Sequence, residues 1–266
     1  MNPSVILWLF GELEMKEEEI MESTEHRGCA SCGGRTVHHC VDGRDDGLRS
    51  YTHPRQGSAM DCSVIAALTS IQAVNSGRLS GSYPTYRFKS GTITLTSRRI
   101  PVDSAGNIVY ANSTSTAVNR YWPMYWEKAF AKLLSNAECP KPATCPYRTT
   151  CSGEPDIGGI FSAGYAGSTA LMEIGRYRDF VQGSLSIDSI GHMTAPAIGT
   201  TKSTIVEDTF WKRNHDYSIL GFDPANRRYL IRNPCGSVDI QKYVPENEFQ
   251  VGSPHFAVWG HVTNPL

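Results

Sequence analysis

The sequence lacks a hydrophobic run long enough to cross a bilayer, and it lacks an excess of charge of either sign. The apolar stretch from Val5 to Phe10 is far shorter than the roughly 20 residues of a spanning helix, and it has neither the basic segment nor the cleavage site of a signal peptide. The formal net charge is -1, without a cluster of Lys and Arg, which argues against nucleic-acid binding. We therefore predict no membrane span, no nucleic-acid partner and a cytoplasmic location; the sequence indicates no oligomeric state.

The composition is that of a globular protein with a hydrophobic core. Hydrophobic residues make up 40% and charged residues 19% of the 266 positions, and a chain of this length forms about one to two domains. Residues 1–50 differ from the rest, because an acidic run from Glu12 to Glu22 precedes a stretch rich in Gly, Cys and His, and neither has core periodicity. We predict that residues 1–50 form a partly irregular N-terminal appendage.

Eight cysteines are present, and an even number of them indicates disulfides only in an exported chain. Since no export signal is evident, we expect reduced thiols; a disulfide framework is the alternative, because three cysteines crowd residues 136–169. The cysteines are Cys29, Cys32, Cys40, Cys62, Cys139, Cys145, Cys151 and Cys235. Cys29, Cys32, His38 and Cys40 have the ligand types for zinc. The second half of that motif is too compact for an ordinary zinc finger, so we do not expect zinc there.

From residue 56 onwards, periodicity predicts regular elements. Val64, Leu68 and Ile71 recur at helical spacing with alanines between them, which predicts a helix from about residue 61 that is buried on all sides, its first turn capped by Asp61. The other predicted elements are short strands within residues 86–110, a helix at 125–134, loops at 136–169, a short helix at 171–180, a hairpin of strands 216–222 and 228–232, and a strand at 256–262.

Four polar residues have the types and positions that nucleophilic catalysis needs. Cys62 begins the buried helix, where exposed N–H groups and the helix dipole favour a thiolate. A nucleophilic cysteine needs a base and a group that orients the base. His215 precedes the first strand of the late hairpin and Asn233 follows the second, so antiparallel pairing brings them together. Gln56, six positions before Cys62, is placed to donate to an oxyanion beside the Cys62 N–H.

Five segments resemble the catalytic core of the calpains, a family of papain-type cysteine peptidases. One of them, residues 100–103 (IPVD), resembles the strand that precedes the family's Glu-Lys-Ala helix. Residues 56–68 (QGSAMDCSVIAAL) resemble the family's Q-G-x-x-x-D-C-W-x-x-A-A segment, and residues 121–133 (YWPMYWEKAFAKL) resemble its W-x-x-L-L-E-K-A-Y-A-K-L helix. Residues 215–221 (HDYSILG) are similar to its H-A-Y-S-V-T-G strand, and residues 232–237 (RNPCGS) to its R-N-P-W-G turn. One such motif is weak, whereas several in the right order over residues 50–250 are specific.

The resemblance implies an α+β papain-like fold of two subdomains with a cleft between them. The Cys-bearing helical subdomain would span residues 51–152, and an antiparallel β subdomain carrying His215 and Asn233 would span residues 153–266. The resemblance also implies a cysteine endopeptidase with Cys62 as nucleophile, His215 as base, Asn233 as its orienter and Gln56 as an oxyanion donor. A polypeptide or peptide-like substrate would be hydrolysed through a thioester on Cys62, and the chemistry requires no cofactor.

The sequence departs from the family pattern at three points. Ser63 and Cys235 stand where the family has tryptophans near the cleft, which leaves the shape of the cleft open. In calpains, calcium draws the two subdomains together. Glu127 matches one acidic calcium ligand of the family, whereas His53 occupies the position of another. Glu127 is therefore a candidate calcium ligand that lacks its family partner, and the sequence contains no Asp-x-Asp-x-Asp-Gly loop of an EF-hand.

Two other functions fit the same residues. An acyltransferase or cyclase would form the same thioester and pass the acyl group to an amine; the compact size and the changes at Ser63 and Cys235 favour it. An inactive peptide-binding module would use the cleft without turnover, and the retention of all four polar site residues argues against it. Taken alone, Cys62 is explained most simply as a small buried apolar residue; its company with three other matching motifs argues for catalysis.

Overall fold

The computed structural model describes residues 39–42, 54–57, 61–102, 111–113, 121–138, 149–150, 154–155, 166–235 and 240–266. The architecture of these residues is α+β, as predicted, with helices and antiparallel sheets. Their strands are β1 His39–Asp42, β2 Pro54–Arg55, β3 Gly81–Ser82, β4 Thr85–Arg87, β5 Thr92–Thr94, β6 Arg99–Val102, β7 Asn112–Ser113, β8 Thr149–Thr150, β9 Glu154–Pro155, β10 Tyr177–Gln182, β11 Ala197–Thr201, β12 Asp216–Asp223, β13 Arg228–Arg232, β14 Gln241–Pro245 and β15 Phe256–Pro265.

Three helices lie within the described residues: α1 Cys62–Val74, α2 Trp122–Glu138 and α3 Gly167–Gly175. The first ten residues of α1 are all buried, which confirms the prediction from its apolar faces. Within the described part of the chain, no helix is long and apolar enough to cross a membrane.

Two local predictions were wrong. Asp61 precedes α1 but makes no side-chain capping hydrogen bond, because its carboxyl pairs with Glu127 of α2 instead. The predicted helix at 171–180 ends early, at Gly175, where Arg176 takes a left-handed conformation with φ 56°. Residues 177–182 form β10, because pairing with β15 outweighs the local helical pattern.

A six-stranded antiparallel sheet dominates the second half of the chain. Its strand order is β10-β15-β11-β12-β13-β14, and neighbouring strands are antiparallel throughout. The predicted hairpin is confirmed as β12 and β13, joined through residues 224–227. The predicted strand at 256–262 is confirmed as part of β15, which lies inside the sheet between β10 and β11.

Side chains that alternate along the strands serve two hydrophobic cores. In the helical core, the three helices and the strands β3, β4 and β5 pack against one face of the six-stranded sheet. This core includes Val64, Leu68, Tyr86, Trp122, Trp126, Leu171, Ile198 and Val262. The sheet core lies on the other face and includes Ala197, Tyr217, Ile219, Ile231, Val244, Phe256 and Trp259. Neighbours Ala197 and Ile198 therefore enter opposite cores, as the two-residue period of a strand requires.

Short strands before α2 pack on that helix. Strands β3, β4 and β5 form a three-stranded antiparallel sheet, which confirms the prediction of short strands where residues 86–110 are described. Tyr86 and Phe88 meet the ring of Trp126 edge-on, with centroids 5.1 and 5.5 Å away. The helical core draws on residues from both sides of position 152, and the division at 152/153 stays a prediction.

Candidate active site

The β12–β13 hairpin brings His215 and Asn233 together. Ser218 pairs with Arg232 in the antiparallel register, so the residue just before β12 and the residue just after β13 lie at the same end of the sheet. The His215 Nε2 atom is 2.9 Å from the Asn233 Oδ1 atom. Both side chains are fully buried. The pairing that the sequence predicts between these residues is present in the structure.

Two backbone groups determine which way the Asn233 amide points. The Cys235 N–H can only donate, and it donates to Asn233 Oδ1 over 2.9 Å. The Phe210 carbonyl can only accept, and it accepts from Asn233 Nδ2 over 2.8 Å. The atom facing His215 is therefore the amide oxygen, an acceptor. His215 must donate from Nε2–H, so in the neutral ring Nδ1 is the nitrogen with the basic lone pair.

Helix α1 places Cys62 at the same end of the sheet as His215. The Ser218 hydroxyl donates to the Ala66 carbonyl over 2.8 Å. Further along both elements, Ala73 and Val74 line a cavity of about 400 Å³ together with Leu220 and Phe222. The helix and β12 therefore run in the same direction.

Cys62 precedes Ala66 by four residues, or about 6 Å of helix. His215 precedes Ser218 by three residues, or about 10 Å of strand. The first residue of the helix, Cys62, and His215 thus share one end of the sheet.

Gln56 is held beside the Asn233 turn. Its backbone N–H donates to the Pro234 carbonyl over 2.7 Å, and Arg232 Nη2 donates to the Pro54 carbonyl over 2.8 Å. The Gln56 Oε1 atom lies 3.8 Å from Cys235 Sγ. The segment before Cys62 is therefore hydrogen-bonded to the segment that carries Asn233, and Gln56 lies beside that turn.

All four predicted site residues are buried. Cys62 is 3% exposed, Gln56 4%, and His215 and Asn233 are fully enclosed. Burial shields the His215–Asn233 hydrogen bond from water, which strengthens it. It also means that a large molecule can contact Cys62 only when neighbouring residues move.

A buried pair of carboxyls adjoins Cys62. Asp61 and Glu127 are both fully buried, and Glu127 Oε2 accepts from the Ala111 N–H over 2.8 Å. Burial raises the pKa of Glu127 well above its usual range, and the charge and hydrogen bond of Asp61 raise it further, against a lowering by the Ala111 bond. Two buried carboxyls side by side share a proton, because both cannot ionise there.

Metal binding at the predicted positions stays a prediction. Among the described residues, no group of three or more His, Cys, Asp or Glu side chains could hold a metal ion. Calcium takes six to eight oxygen ligands, and the described acidic neighbour of Glu127 is Asp61. The candidate zinc ligands Cys29, Cys32, His38 and Cys40 lie outside the described side chains.

Cys235 and Ser63, which stand where the calpain pattern has tryptophans, lie in the site. Cys235 is disulfide-bonded, which is contrary to our expectation of reduced thiols at this position. Its partner is not Cys62, which has no disulfide. Ser63 is buried in the first turn of α1. Ser63 is therefore enclosed by the fold, whereas Cys235 is only partly buried.

Sequence reasoning missed two contributors to the site. The Phe210 carbonyl, which orients Asn233, is a backbone group, and no residue type reveals its use. Asp61 was predicted as a helix cap, whereas its carboxyl pairs with Glu127. An acidic residue beside a wholly apolar helix was the available signal for a buried partner. No protein-family model and no curated protein matches this chain.

Proposed function

We propose that this protein is a cysteine endopeptidase with a papain-like fold, in which Cys62 is the nucleophile, His215 the base and Asn233 its orienter. One observation carries the proposal. His215 donates from Nε2 to an asparagine whose orientation is set by two backbone groups, and this leaves Nδ1 as the basic atom at the end of the sheet where α1 begins.

The chemistry follows from this arrangement. His215 Nδ1 takes the Cys62 thiol proton, and the thiolate attacks a peptide carbonyl carbon. The helix N-terminus stabilises the thiolate. The Cys62 N–H and the Gln56 amide stabilise the oxyanion. The imidazolium then protonates the departing amine, the C–N bond breaks, and a thioester remains on Cys62. Water, deprotonated by His215, attacks the thioester, and the acid product leaves as the thiol is restored.

Iodoacetamide alkylation of Cys62 between about pH 5 and 9 tests the proposal, with the modified cysteine identified by mass. An ordinary thiol has a pKa of about 8.5, so its rate falls tenfold for each pH unit below it. We expect Cys62 to keep its rate into acidic solution, because the His215 imidazolium stabilises the thiolate. The His215→Ala variant should show the ordinary profile, whereas His192→Ala, a change at an exposed histidine, should not.

The shape of the profile separates ionisation from access. Burial of Cys62 slows alkylation at every pH by one factor, while ion pairing changes how the rate depends on pH. A wild-type rate that rises tenfold per pH unit up to about pH 8.5, as for an isolated thiol, would remove the proposed nucleophile–base pair.

Product analysis then decides the acyl acceptor. Peptide substrates incubated in ¹⁸O-labelled water should give carboxylic acids that carry the label, and the Cys62→Ala variant should give none. Products joined to an added amine, without labelled acid, would replace the peptidase by an acyltransferase or cyclase. Binding without turnover in a protein whose Cys62 alkylates ordinarily would leave the peptide-binding module.

A further inference from the structure

The loop before β12, residues 202–214, contains a turn whose Phe210 carbonyl accepts a hydrogen bond from Asn233, the partner of His215. Asp208 Oδ1 accepts from the N–H groups of Phe210 and Trp211 over 2.7 and 2.5 Å. Burial raises the pKa of Asp208, but those two hydrogen bonds and the charges of Lys242 and Lys212 lower it overall. Asp208 therefore stays an acceptor in mildly acidic solution and holds the turn that presents the Phe210 carbonyl.

Tyr217 uses the same carbonyl as Asn233. Its hydroxyl donates to Phe210 O over 2.8 Å and accepts from the Lys212 N–H over 2.8 Å. Asn233 Nδ2 donates to Phe210 O over 2.8 Å. A carbonyl oxygen accepts two hydrogen bonds, and here one comes from the tyrosine and the other from the asparagine that faces the base.

The Tyr217 ring also meets the base directly. Its centroid is 5.0 Å from that of the His215 ring, at an interplanar angle of 82°, an edge-to-face arrangement. The ring is fully buried and is packed by Phe210, Trp211 and Phe256. A phenol enclosed on these sides has little freedom to move, so its hydroxyl is a rigid anchor.

We propose that Tyr217 is a positioning residue for the base: its hydroxyl holds the Phe210 carbonyl, which holds the Asn233 amide, which holds the His215 ring. The catalytic consequence rests on the proposed function, because it matters only if His215 activates Cys62. The orientation of the His215 imidazole by Tyr217 does not depend on the proposed function, because the hydrogen bonds hold the ring whether or not His215 activates Cys62.

The Tyr217→Phe variant tests this relay, the series of hydrogen bonds from Tyr217 through the Phe210 carbonyl and Asn233 to His215. The variant keeps the ring and removes the hydroxyl. The first measurement is exchange of the His215 Nε2 proton with water, followed by NMR of ¹⁵N-histidine-labelled protein. Loss of one hydrogen bond should speed this exchange about fivefold. The second is Cys62 alkylation near pH 5.5, which should fall about fivefold relative to its rate at pH 9. Tyr243→Phe, the same change at an exposed tyrosine, should alter neither.

A double-variant cycle identifies the route of the effect. If Tyr217 acts through Asn233, then Tyr217→Phe should change alkylation no further in an Asn233→Ala background. An equal fall in that background would mean that the hydroxyl acts by another route and would overturn the relay. Should Tyr217→Phe fail to fold, Asp208→Ala loosens the same carbonyl from the exposed side of the turn and should give the same pair of changes.

The two proposals fail separately. Suppose that Tyr217→Phe changes neither the exchange rate of the His215 Nε2 proton nor the Cys62 alkylation rate, while Cys62 of the wild type reacts in acidic solution. The relay would then be wrong, and the proposed peptidase would stand. If Tyr217→Phe speeds exchange of the His215 Nε2 proton but Cys62 of the wild type alkylates as an ordinary thiol, the relay would stand and the proposed peptidase would be wrong.

Discussion

At the scale of single residues, buried polar groups set the properties of this protein. Asn233 uses both ends of its amide on backbone partners and still faces His215. Glu127 and Asp61 face each other without exposure. Groups of this kind are costly to bury unless they are paired, so each change among them should have a measurable effect on stability or on the site.

Glu127 should make the stability of the protein depend on pH. Its pKa is raised in the folded chain by burial first and by Asp61 second, from a usual value of 4.5. The folded chain therefore keeps a proton that the unfolded chain loses above that value. The free energy of unfolding should fall as pH rises above 4.5 towards the raised pKa, by at most about 1.4 kcal/mol per pH unit for one proton.

The Glu127→Gln variant should lack this fall. Its amide can accept from the Ala111 N–H and donate to Asp61, so Asp61 can ionise with a partner. Urea denaturation with a chelator present measures the effect. The free energy of unfolding of the variant minus that of the wild type should increase as pH rises from 5 to 7. Glu207→Gln, at an exposed residue, serves as the control. Parallel pH curves for wild type and Glu127→Gln would mean that the carboxyl does not hold its proton.

At the scale of elements, β15 is the strand on which the sheet depends. It lies between β10 and β11 and pairs with both. Gly260 allows the close approach, because a Cβ atom there would lie 2.2 Å from the Val181 carbonyl oxygen and 2.7 Å from the Phe180 ring. The first of these atoms is backbone and cannot turn away.

The Gly260→Ala variant should separate β10 from β15 and lower the free energy of unfolding by about 1–3 kcal/mol. The matched control is Gly221→Ala in β12, where a Cβ atom meets nothing within 4 Å, and the change there should stay within about 0.5 kcal/mol. Thermal and urea denaturation of both variants measure the difference. Equal free energies of unfolding for Gly260→Ala and Gly221→Ala would show that the β10–β15 pairing accommodates a side chain at residue 260.

At the scale of the whole molecule, the two cores should unfold as one unit. Val74 of α1 packs against the sheet core, while Ile198 and Val262 of the sheet belong to the helical core. Two hydrogen bonds join α1 to the strands, from Ser218 Oγ to Ala66 O and from the Ala197 N–H to Ser70 Oγ, each over 2.8 Å. Neither core can be exposed without disturbing the other.

Native-state hydrogen exchange in low urea measures this coupling. The amides of α1 and of β12 should report the same opening free energy and the same dependence on urea, as members of one cooperative unit do. A smaller urea dependence for α1 than for β12 would show that the helical part opens alone. In that case Cys62 and His215 would separate before the protein unfolds.

The sequence by itself determined the hairpin, the buried helix and the residue types of the site. Strand alternation across residues 216–232 predicts the pairing of His215 with Asn233, because both the period and the turn are local. Apolar residues on every face of α1 predict its burial for the same reason. These features depend on neighbours in the chain, so the chain order alone specifies them.

Tertiary structure alone decided which distant groups meet. The segment 177–182 forms a strand because β15 provides backbone partners. Asp61 lies at the N-cap position of α1 but makes no side-chain capping bond, and its carboxyl interacts with Glu127 of another helix. The Phe210 carbonyl orients Asn233 although no side chain marks it in the sequence. In each case the partner lies many positions away, and the gain from satisfying a buried polar group exceeds the local preference that a sequence pattern can express.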